Sequence, residues 1–371
     1  MAKIFILAGE ASGDLHGSYL VKQLLKQQPD LQINAWGGKK MKTAGANILR
    51  GLDHLAFMGF TEVLKNTATV LENFKLCKKH ISDLEPDVIV FIDYPGFNLR
   101  MAKWARAHGY KTIQYIAPAA WAWKEKRVEK IRQYIDELLV ILPFEKAFFA
   151  KHDINAHFVG HPLIEQIRSW SRNPKFELPH KNNSKKAIAL FPGSRIQEIK
   201  LILPKMTELV KAEIAHQYYI AVPDHLPASI YTEYVAGLEN VYLVHGENYD
   251  LLSSVDAAIV SSGTATLEVA LMNVPQVVCY QTNPLSFAIA KQLVKTKYIS
   301  LVNLIANKDV VKELLQSDFT TPNLKNELSK LLSHDHAKKM NLEYTGLKEK
   351  LGDQSASLNA AKIILSSLIA S

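Results

Sequence analysis

The stretch "SSGTATLE" at residues 261–268 places small hydroxyl-bearing residues, a glycine and a carboxylate directly after the apolar run 255–260. Small side chains at the start of a helix let an anion approach the free backbone N–H groups, where the helix dipole adds about half a positive charge. Glu268, one turn further on, can accept hydrogen bonds from vicinal hydroxyls such as those of a ribose. A plain Ser/Thr N-cap with an acidic first turn is the alternative. The residues predicted to bind a ligand here are Ser262, Gly263, Thr264, Ala265, Thr266 and Glu268.

A second turn of this kind, "ALFPGSRIQE", lies at residues 189–198. The proline and glycine make the turn, Ser194 can cap the helix, and the planar fork of Arg195 suits a pyrophosphate. A capped helix with a solvated arginine is the alternative. Neither turn has the G-x-x-x-x-G-K-[ST] pattern, which excludes a P-loop NTPase. The residues predicted to bind the anion here are Pro192, Gly193, Ser194, Arg195 and Glu198.

Three carboxylates follow predicted strands near the start of the chain and are candidates for a general base. Glu10 and Asp14 lie in "LAGEASGDLHG" at residues 7–17, which departs from the dinucleotide pattern G-x-G-x-x-G. Asp93 comes directly after a strongly apolar strand in "IDYPGFN", where partial burial can raise its pKa. The alternatives are that Asp14 starts the following helix and that Asp93 braces a turn.

Two further stretches favour an amphipathic, anionic ligand. "APAAWAWKEKR" at residues 117–127 sets Trp121 and Trp123 in a loop bounded by proline and followed by basic residues, although tryptophans that pack between domains would give the same pattern. Residues 54–80 form an amphipathic pattern that ends in lysines. This pattern predicts either an interfacial helix at a lipid surface or a core-facing helix with a solvated basic end.

The composition is that of a globular protein with an anionic partner. The chain has 371 residues, a formal net charge of +8, 48% apolar residues and only two cysteines. The cysteines form no C-x-x-C pair, so zinc sites and disulfides are not expected, and a reducing cytosol fits. No stretch approaches the ~20 apolar residues that a spanning helix needs, so any membrane contact is expected to be peripheral. No Asp-x-Asp occurs, which argues against a sugar-nucleotide site built on a carboxylate-held metal.

Buried strands alternate with amphipathic helices along the chain, which predicts two tandem doubly wound α/β domains that face a cleft. Ligands of such sheets bind outside the carboxyl ends of the strands, where the motifs above lie. The chain is expected to be mostly helical from about Lys308. The predicted parts are an N-terminal acceptor domain, an interdomain segment, a C-terminal nucleotide domain and a final helix that packs back on the first domain, at residues 1–165, 166–186, 187–350 and 351–371.

Taken together, these stretches closely resemble the family of lipid-A-disaccharide synthases. The resemblance runs in the same order over nearly the whole chain, and its specificity comes from the set of motifs rather than from any one turn. The matching stretches are "AGEASGD" (8–14), "IDYPGFN" (92–98), "WAWKEKRVEKI" (121–131), "LPFEKAFF" (142–149), "FVGHPL" (158–163), "PGSRIQE" (192–198), "SSGTATLE" (261–268) and "LVKTKYISLVNLIANKDVVKELLQ" (293–316).

The resemblance implies a glycosyltransferase type B fold with the donor nucleotide bound mainly to the C-terminal domain. The implied reaction joins UDP-2,3-diacylglucosamine to 2,3-diacylglucosamine 1-phosphate in a β-1,6 linkage and releases UDP, by inversion and without a metal or other cofactor. The implied location is the cytoplasmic face of the inner membrane of a Gram-negative bacterium, on an anionic surface, with no nucleic-acid partner. The residues predicted to bind the acceptor are Ser12, Asn98, Trp121, Trp123 and Arg127.

One position departs from the family pattern, because members often carry an aspartate where this chain has Gly96. The base is therefore predicted to be Asp93, with Glu10 and Asp14 as rivals, and Arg195 completes the predicted catalytic set. Two other functions share the same turns: another UDP-N-acetylglucosamine transferase or 2-epimerase, and a non-catalytic protein that binds nucleotide sugars or lipids. An epimerase would accept a sugar nucleotide without acyl chains, and a binding protein would need no base.

Overall fold

The chain is divided between two structural units. The computed structural model describes residues 1–55, 67–123, 126–283, 287 and 296–369. The first unit comprises Met1–Glu165 and Asp353–Ser371, and the second comprises Gln166–Gly352. Residues 166–186, predicted as an interdomain segment, lie in the second unit, where Leu178 is buried against the strands of that unit.

The described part of the first unit contains a seven-stranded parallel sheet. Its strands are β1 Lys3–Ala8, β2 Gln32–Trp36, β3 Asn47–Arg50, β4 Val88–Ile92, β5 Lys111–Tyr115, β6 Glu137–Val140 and β7 Ala156–Phe158. They pair in the order β3-β2-β1-β4-β5-β6-β7. Its helices are α1 Ala11–Gln27, α2 Lys39–Thr43, α3 Thr67–Leu84, α4 Pro95–Ala107, α5 Ala120–Trp123, α6 Lys126–Tyr134, α7 Pro143–Ala150 and α8 Pro162–Ser169, the last of which continues into the second unit.

Both faces of this sheet are covered, which explains why β4 is apolar at every position and β1 at every position after Lys3. Alternate residues of a strand face opposite sides, so Ile4 and Ile92 enter one buried cluster while Phe5 and Phe91 enter the other. In the register of the sheet, Ile4 pairs with Val88 across the β1–β4 contact. Burial on both faces fixes these two strands next to each other.

The predicted amphipathic segment 54–80 is described in part. Residues 56–66 lie outside the described residues, and α3 begins at Thr67. Phe74 and Cys77 pack into the core of the first unit, whereas Leu71 is 57% exposed. The described part of this segment therefore matches the core-facing alternative. None of the described helices is long and apolar enough to cross a bilayer.

The last helix, Ala356–Ile369, belongs to the first unit. Its small residues Ala356, Ala360 and Ala361 are fully buried in the cluster that also holds α1. Glu165 accepts hydrogen bonds at the start of the helix from the hydroxyls of Ser355 (3.0 Å) and Ser357 (2.6 Å). A carboxylate at this end also opposes the positive end of the helix dipole, which stabilises the docked helix.

The described part of the second unit contains a six-stranded parallel sheet. Its strands are β8 Ala187–Phe191, β9 Gln217–Val222, β10 Val241–His245, β11 Ala257–Ser261, β12 Gln276–Tyr280 and β13 Lys312–Leu315. They pair in the order β10-β9-β8-β11-β12-β13. Its helices are α9 Ile196–Ala212, α10 Ser229–Val235, α11 Asn248–Leu252, α12 Thr264–Leu271, α13 Leu301–Ala306, α14 Thr321–Leu331 and α15 His334–Leu351; the Ala356–Ile369 helix of the first unit is α16.

The chain from about Lys308 is mostly helical, as predicted, with strand β13 as the exception. The segment "KELL" has little strand propensity, but it pairs with β12 in register from Lys312 opposite Val277. The Glu313 carboxylate also accepts hydrogen bonds from the backbone N–H groups of Ile299 (3.0 Å) and Ser300 (2.9 Å). Long-range pairing therefore decides the conformation of a segment whose local pattern favours a helix.

Both sheets have a topological switch point, where the chain reverses the direction in which it adds strands. The switch lies between β1 and β4 in the first unit and between β8 and β11 in the second. A crevice forms there outside the carboxyl ends of the strands, and ligands of doubly wound sheets bind in it. The turns singled out from the sequence follow these four strands.

Candidate functional site

A pocket of about 380 Å³ lies at the switch point of the second sheet. Both predicted anion-binding turns contribute to its wall. Of the residues predicted in those turns, Pro192 and Thr266 do not line it. The lining residues are Phe191, Gly193, Ser194, Arg195, Glu198, Ala221, Pro223, Asn248, Ser261, Ser262, Gly263, Thr264, Ala265 and Glu268.

The turn after β8 is shaped by Gly193 and Glu198. Gly193 has a φ of 125°, which only glycine adopts readily, and a Cβ there would lie 2.7 Å from the side chain of Glu198. The Glu198 carboxylate accepts hydrogen bonds from the backbone N–H of Ser194 (3.1 Å) and from Nη1 of Arg195 (3.1 Å). The residue that caps α9 is Arg195 rather than Ser194 as predicted, and its side chain makes no capping hydrogen bond. The N-cap side chain therefore accepts no hydrogen bond from the backbone N–H groups at the start of α9.

Arg195 is the most exposed charged group of this turn, with its side chain 64% accessible. The ion pair with Glu198 holds the guanidinium at the start of α9, a helix of 17 residues. A guanidinium has five N–H donors, so one pairing leaves others that can bind an anion. The helix dipole adds positive potential at the same place.

The turn after β11 forms part of the pocket wall, where backbone groups rather than large side chains face the cavity. Ser262 N–H extends the sheet by donating to the Cys279 carbonyl at 2.9 Å. A Cβ added to Gly263 would meet no atom within 4 Å, so the pocket wall is open there. The first N–H groups of α12 have no partner within the helix. The hydroxyl of Thr266, which is buried, donates instead to the Gly263 carbonyl at 2.8 Å and braces the turn from behind.

Glu268 lies one turn into α12 and faces the pocket. Its Oε1 is 3.3 Å from the hydroxyl of Tyr249. Burial raises the pKa of the Glu268 carboxyl, and the hydrogen bond from Tyr249 opposes that shift.

Five residues that line the pocket were not predicted from the sequence: Phe191, Ala221, Pro223, Asn248 and Ser261. Pro223 and Asn248 could have been found, because they follow β9 and β10 at the same edge of the sheet.

The loop after β4 holds Asp93 in a strained turn. Asp93 and Tyr94 both have a φ of 45°, in the left-handed region. The Asn98 amide, which is fully buried, donates to the carbonyls of Ile92 (3.2 Å) and Asp93 (2.7 Å), so this predicted acceptor residue braces the turn. Left-handed residues other than glycine cost about 1–3 kcal/mol each and cluster at functional sites.

The environment of Asp93 suits a general base. Its pKa is raised to about 6, mainly by burial and further by the charge of Glu10, while the N–H of Tyr94 and the guanidinium of Arg127 act in the opposite direction. Burial lowers the pKa of the Arg127 guanidinium, and the charge of Asp93 opposes that shift. The switch point of the first sheet thus holds one electrostatic cluster of three predicted residues: Asp93, Glu10 and Arg127.

Glu10 immediately precedes α1 and its charge acts on Asp93, whereas Asp14 lies within the helix. Glu10 is the N-cap residue, yet its carboxylate makes no capping hydrogen bond. The ring of Tyr94 covers Gly9, where a Cβ would overlap it, and the Tyr94 hydroxyl donates to the Leu55 carbonyl at 2.9 Å. Ser12 is exposed in the first turn of α1. The loop after β1 therefore keeps Glu10 beside the Asp93 turn.

Asp14, the third candidate base, caps a different helix. It is 4% exposed, and its carboxylate accepts from the backbone N–H groups of Gly38 (2.7 Å), Lys40 (3.1 Å) and Met41 (3.1 Å). Asp14 lies inside α1, which begins at Ala11, so it does not start that helix. Its oxygens satisfy the N-terminus of α2, which makes it a structural residue.

We expect Asp14→Ala to lower the free energy of unfolding by about 2 kcal/mol, because three N–H groups at a helix N-terminus lose their acceptor. The folded variant should keep a kcat within a few-fold of the wild-type value. Urea denaturation followed by circular dichroism, and steady-state kinetics of the soluble fraction, measure the two quantities. A fully folded variant without turnover would return Asp14 to the list of candidate bases.

The predicted aromatic loop forms the short helix α5, where Trp121 is held by a buried carboxyl. Trp121 Nε1 donates to Glu145 Oε1 at 3.0 Å, and the other oxygen accepts from the N–H groups of Ile141 and Leu142. Burial raises the pKa of Glu145 to about 7, against these hydrogen bonds. The side chain of Trp123 lies outside the described residues. Glu145 was not predicted, since only the fold brings it to Trp121.

Comparison with known proteins assigns nearly the whole chain to one family. Residues 4–366 match the family model described as lipid-A-disaccharide synthetase. The chain belongs to the lipid-A-disaccharide synthase family. A lipid-A-disaccharide synthase of Coxiella burnetii is 35% identical over 367 residues, which cover 97% of each chain. One of Geobacter metallireducens is 36% identical over 376 residues, which cover 99% of this chain and 97% of the relative.

Membership confirms the predicted family, and the chain is a hexosyltransferase of lipid A biosynthesis that acts on lipid-linked sugars. Its relatives come from Gram-negative bacteria. An epimerase or another sugar-nucleotide transferase is not favoured, because the similarity to such enzymes is one of fold.

Solved structures confirm the predicted fold class, the glycosyltransferase type B fold. The glycosyltransferase of kitacinnamycin superposes with a TM-score of 0.69 at 14% identity, over 99% of both chains. Staphylococcus aureus MnaA, solved with UDP, superposes with a TM-score of 0.68 at 13% identity, over 100% of this chain and 98% of that one. At such identities the likeness concerns the fold alone.

Proposed function

We propose that this enzyme transfers 2,3-diacylglucosamine from UDP to the 6-hydroxyl of 2,3-diacylglucosamine 1-phosphate, giving a β-1,6-linked disaccharide 1-phosphate and UDP. The observation that carries the proposal is the pocket of the second unit, where two helix N-termini, the Arg195 guanidinium and the Glu268 carboxylate line a single cavity. That set matches a nucleoside diphosphate, because the N–H groups and the guanidinium bind phosphates and the carboxylate binds a diol.

In the proposed donor site, the diphosphate binds between Arg195 and the start of α12, and Glu268 binds the ribose hydroxyls. Phe191, Ala221 and Pro223 supply an apolar wall for the flat base. The positive groups also stabilise the charge that develops on the leaving diphosphate, which is the role a metal ion plays in other transferases. The proposed reaction is therefore independent of divalent metal. Within the described residues, no cluster of three or more His, Cys, Asp or Glu side chains could hold a metal ion.

In the proposed acceptor site, Asp93 is the general base. It takes the proton of the acceptor's 6-hydroxyl while that oxygen forms a bond to the anomeric carbon of the donor. The bond from this carbon to the diphosphate breaks on the opposite face, so UDP leaves with its electron pair and the configuration inverts. The proposed acceptor residues are Arg127, whose charge acts on Asp93, the exposed Ser12, and Trp121, whose indole N–H donates to Glu145.

The substrates and the net charge of +8 support action at an anionic membrane surface. We place the enzyme peripherally at the cytoplasmic face of the inner membrane, with residues 1–165 as the acceptor domain and 187–350 as the donor domain. Flotation with vesicles of phosphatidylglycerol and phosphatidylethanolamine tests the membrane association. Protein that stays at the bottom of the gradient at low ionic strength would contradict it.

The decisive experiment incubates purified protein with the acylated donor and acceptor in the presence of EDTA and measures released UDP. We expect UDP release that needs both substrates, and a product whose proton coupling at the new anomeric centre shows the β configuration. UDP-N-acetylglucosamine without acyl chains is the matched control donor and should be a poor substrate. Epimerisation of that control donor, or no UDP from the acylated pair, would refute the proposed reaction.

A further inference from the structure

Tyr249 lies beside the pocket of the second unit although nothing in the sequence pattern singles it out. Its hydroxyl is 3.3 Å from Glu268 Oε1 and 3.4 Å from Gln166 Oε1. A hydroxyl donates one hydrogen bond and accepts others, and an amide can present its nitrogen after a half-turn. The hydroxyl can therefore donate to Glu268 while it accepts from Gln166. Three side chains from α8, α11 and α12 thus form one hydrogen-bonded row that ends at the pocket.

The position of Tyr249 is fixed by its neighbours. The next residue, Asp250, is 3% exposed and accepts from Nε1 of Trp170 (3.2 Å) and the backbone N–H of Asn173 (2.7 Å). The rings of Tyr249 and Trp170 lie 6.1 Å apart. A short helix pinned at a buried carboxylate keeps its side chains in place before any ligand binds. The hydroxyl of Tyr249 is therefore pre-oriented toward Glu268.

We propose that Tyr249 is a positioning residue that holds Glu268 for the ribose hydroxyls and thereby sets the preference of the pocket for a ribonucleotide. One oxygen of the Glu268 carboxylate is fixed by Tyr249, which leaves the other and a remaining lone pair for a vicinal diol. The hydrogen bond also opposes the effect of burial on the pKa of Glu268 and so favours its ionised, accepting form. This inference rests on the proposed binding of UDP.

Calorimetric titration with UDP and with 2′,3′-dideoxy-UDP tests the inference directly. The wild-type protein should bind UDP more tightly than the dideoxy compound. Tyr249→Phe keeps the ring and removes only the hydroxyl, so we expect its Kd for UDP to rise roughly five- to tenfold while its Kd for dideoxy-UDP changes less than about twofold. Tyr242→Phe is the matched control, because the hydroxyl of Tyr242 donates to the Glu239 carbonyl and does not line the pocket.

A second variant separates positioning from a general structural effect. In a Glu268→Gln background, Tyr249→Phe should cause little further loss of UDP affinity, because the two side chains act as one unit. Equal losses for both ligands in Tyr249→Phe, or unchanged discrimination, would overturn the inference while leaving UDP binding intact. Failure of the wild-type protein to bind UDP at all would instead overturn the proposed function.

Discussion

Asp93→Asn is expected to lower kcat by about 10³-fold and to leave KM for both substrates within a few-fold, because positioned general bases contribute roughly 10²–10⁴-fold. Asparagine has nearly the same shape as aspartate and tolerates the left-handed conformation that residue 93 adopts with a φ of 45°. The backbone bonds from Asn98 and to Tyr115 do not involve the carboxylate, so the turn should survive. Steady-state kinetics measure the loss, and circular dichroism verifies the fold.

The pH dependence of the wild-type enzyme provides an independent check on Asp93. A base must be ionised to accept a proton, so activity is present above its pKa and is lost as the pH falls through it. Because the pKa of Asp93 is raised to about 6, kcat/KM should fall tenfold per pH unit below about pH 6. With an ordinary aspartate the same fall in activity would begin about two pH units lower.

Glu10→Gln is the matched control for this profile. The charge of Glu10 is one of the two causes that raise the pKa of Asp93, so removing it should move the acid limb to lower pH with kcat retained at neutral pH. If Glu10 is the base instead, kcat collapses at every pH in this variant, and Asp93→Asn keeps most of its activity. Gly96→Asp can be added as a third variant. A Cβ at residue 96 meets no atom within 4 Å and the site is exposed, so the fold should tolerate the aspartate.

The positions of the candidate turns could be predicted from the sequence because they follow from one rule of parallel sheets. Apolar strands such as β4 and β11 end abruptly at polar residues, and the carboxyl ends of parallel strands meet at one edge. This rule predicts Asp93 and the 262–264 turn as candidate site residues. The same rule also predicts Pro192, which does not line the pocket although its neighbours Phe191 and Gly193 do.

Contacts between distant parts of the chain could not be predicted in this way. The three N–H groups that occupy Asp14 come from residues 38–41, and nothing local to Asp14 distinguishes a helix cap from a base. Tyr249 and Glu145 owe their roles to partners 19 and 24 residues away. Local patterns report which residue types follow a strand, whereas the direction of each side chain depends on tertiary packing.

Arg195→Ala is expected to lower kcat/KM by about 10²-fold or more, which corresponds to about 2.7 kcal/mol of lost transition-state stabilisation. Arg195 is the N-cap residue of α9 and is the lining residue with a permanent positive charge. Negative charge grows on the diphosphate as the sugar bond breaks, so the loss should appear more in kcat than in KM. Steady-state kinetics with both substrates, and calorimetry with UDP, measure the two parts.

Two further substitutions decide whether the guanidinium itself matters. Arg195→Lys keeps the charge without the planar fork and should recover only part of the activity, because a lysine cannot pair bidentately with phosphate. Arg172→Ala removes an exposed arginine of the same unit that does not line the pocket, and it should leave kcat and the Kd for UDP unchanged. If Arg195→Ala instead matches Arg172→Ala in both quantities, the diphosphate is not held at the β8 turn, and the donor site must lie elsewhere. If only the Kd for UDP rises, Arg195 binds the ground state without favouring bond cleavage, since uniform binding lowers KM and leaves kcat unchanged.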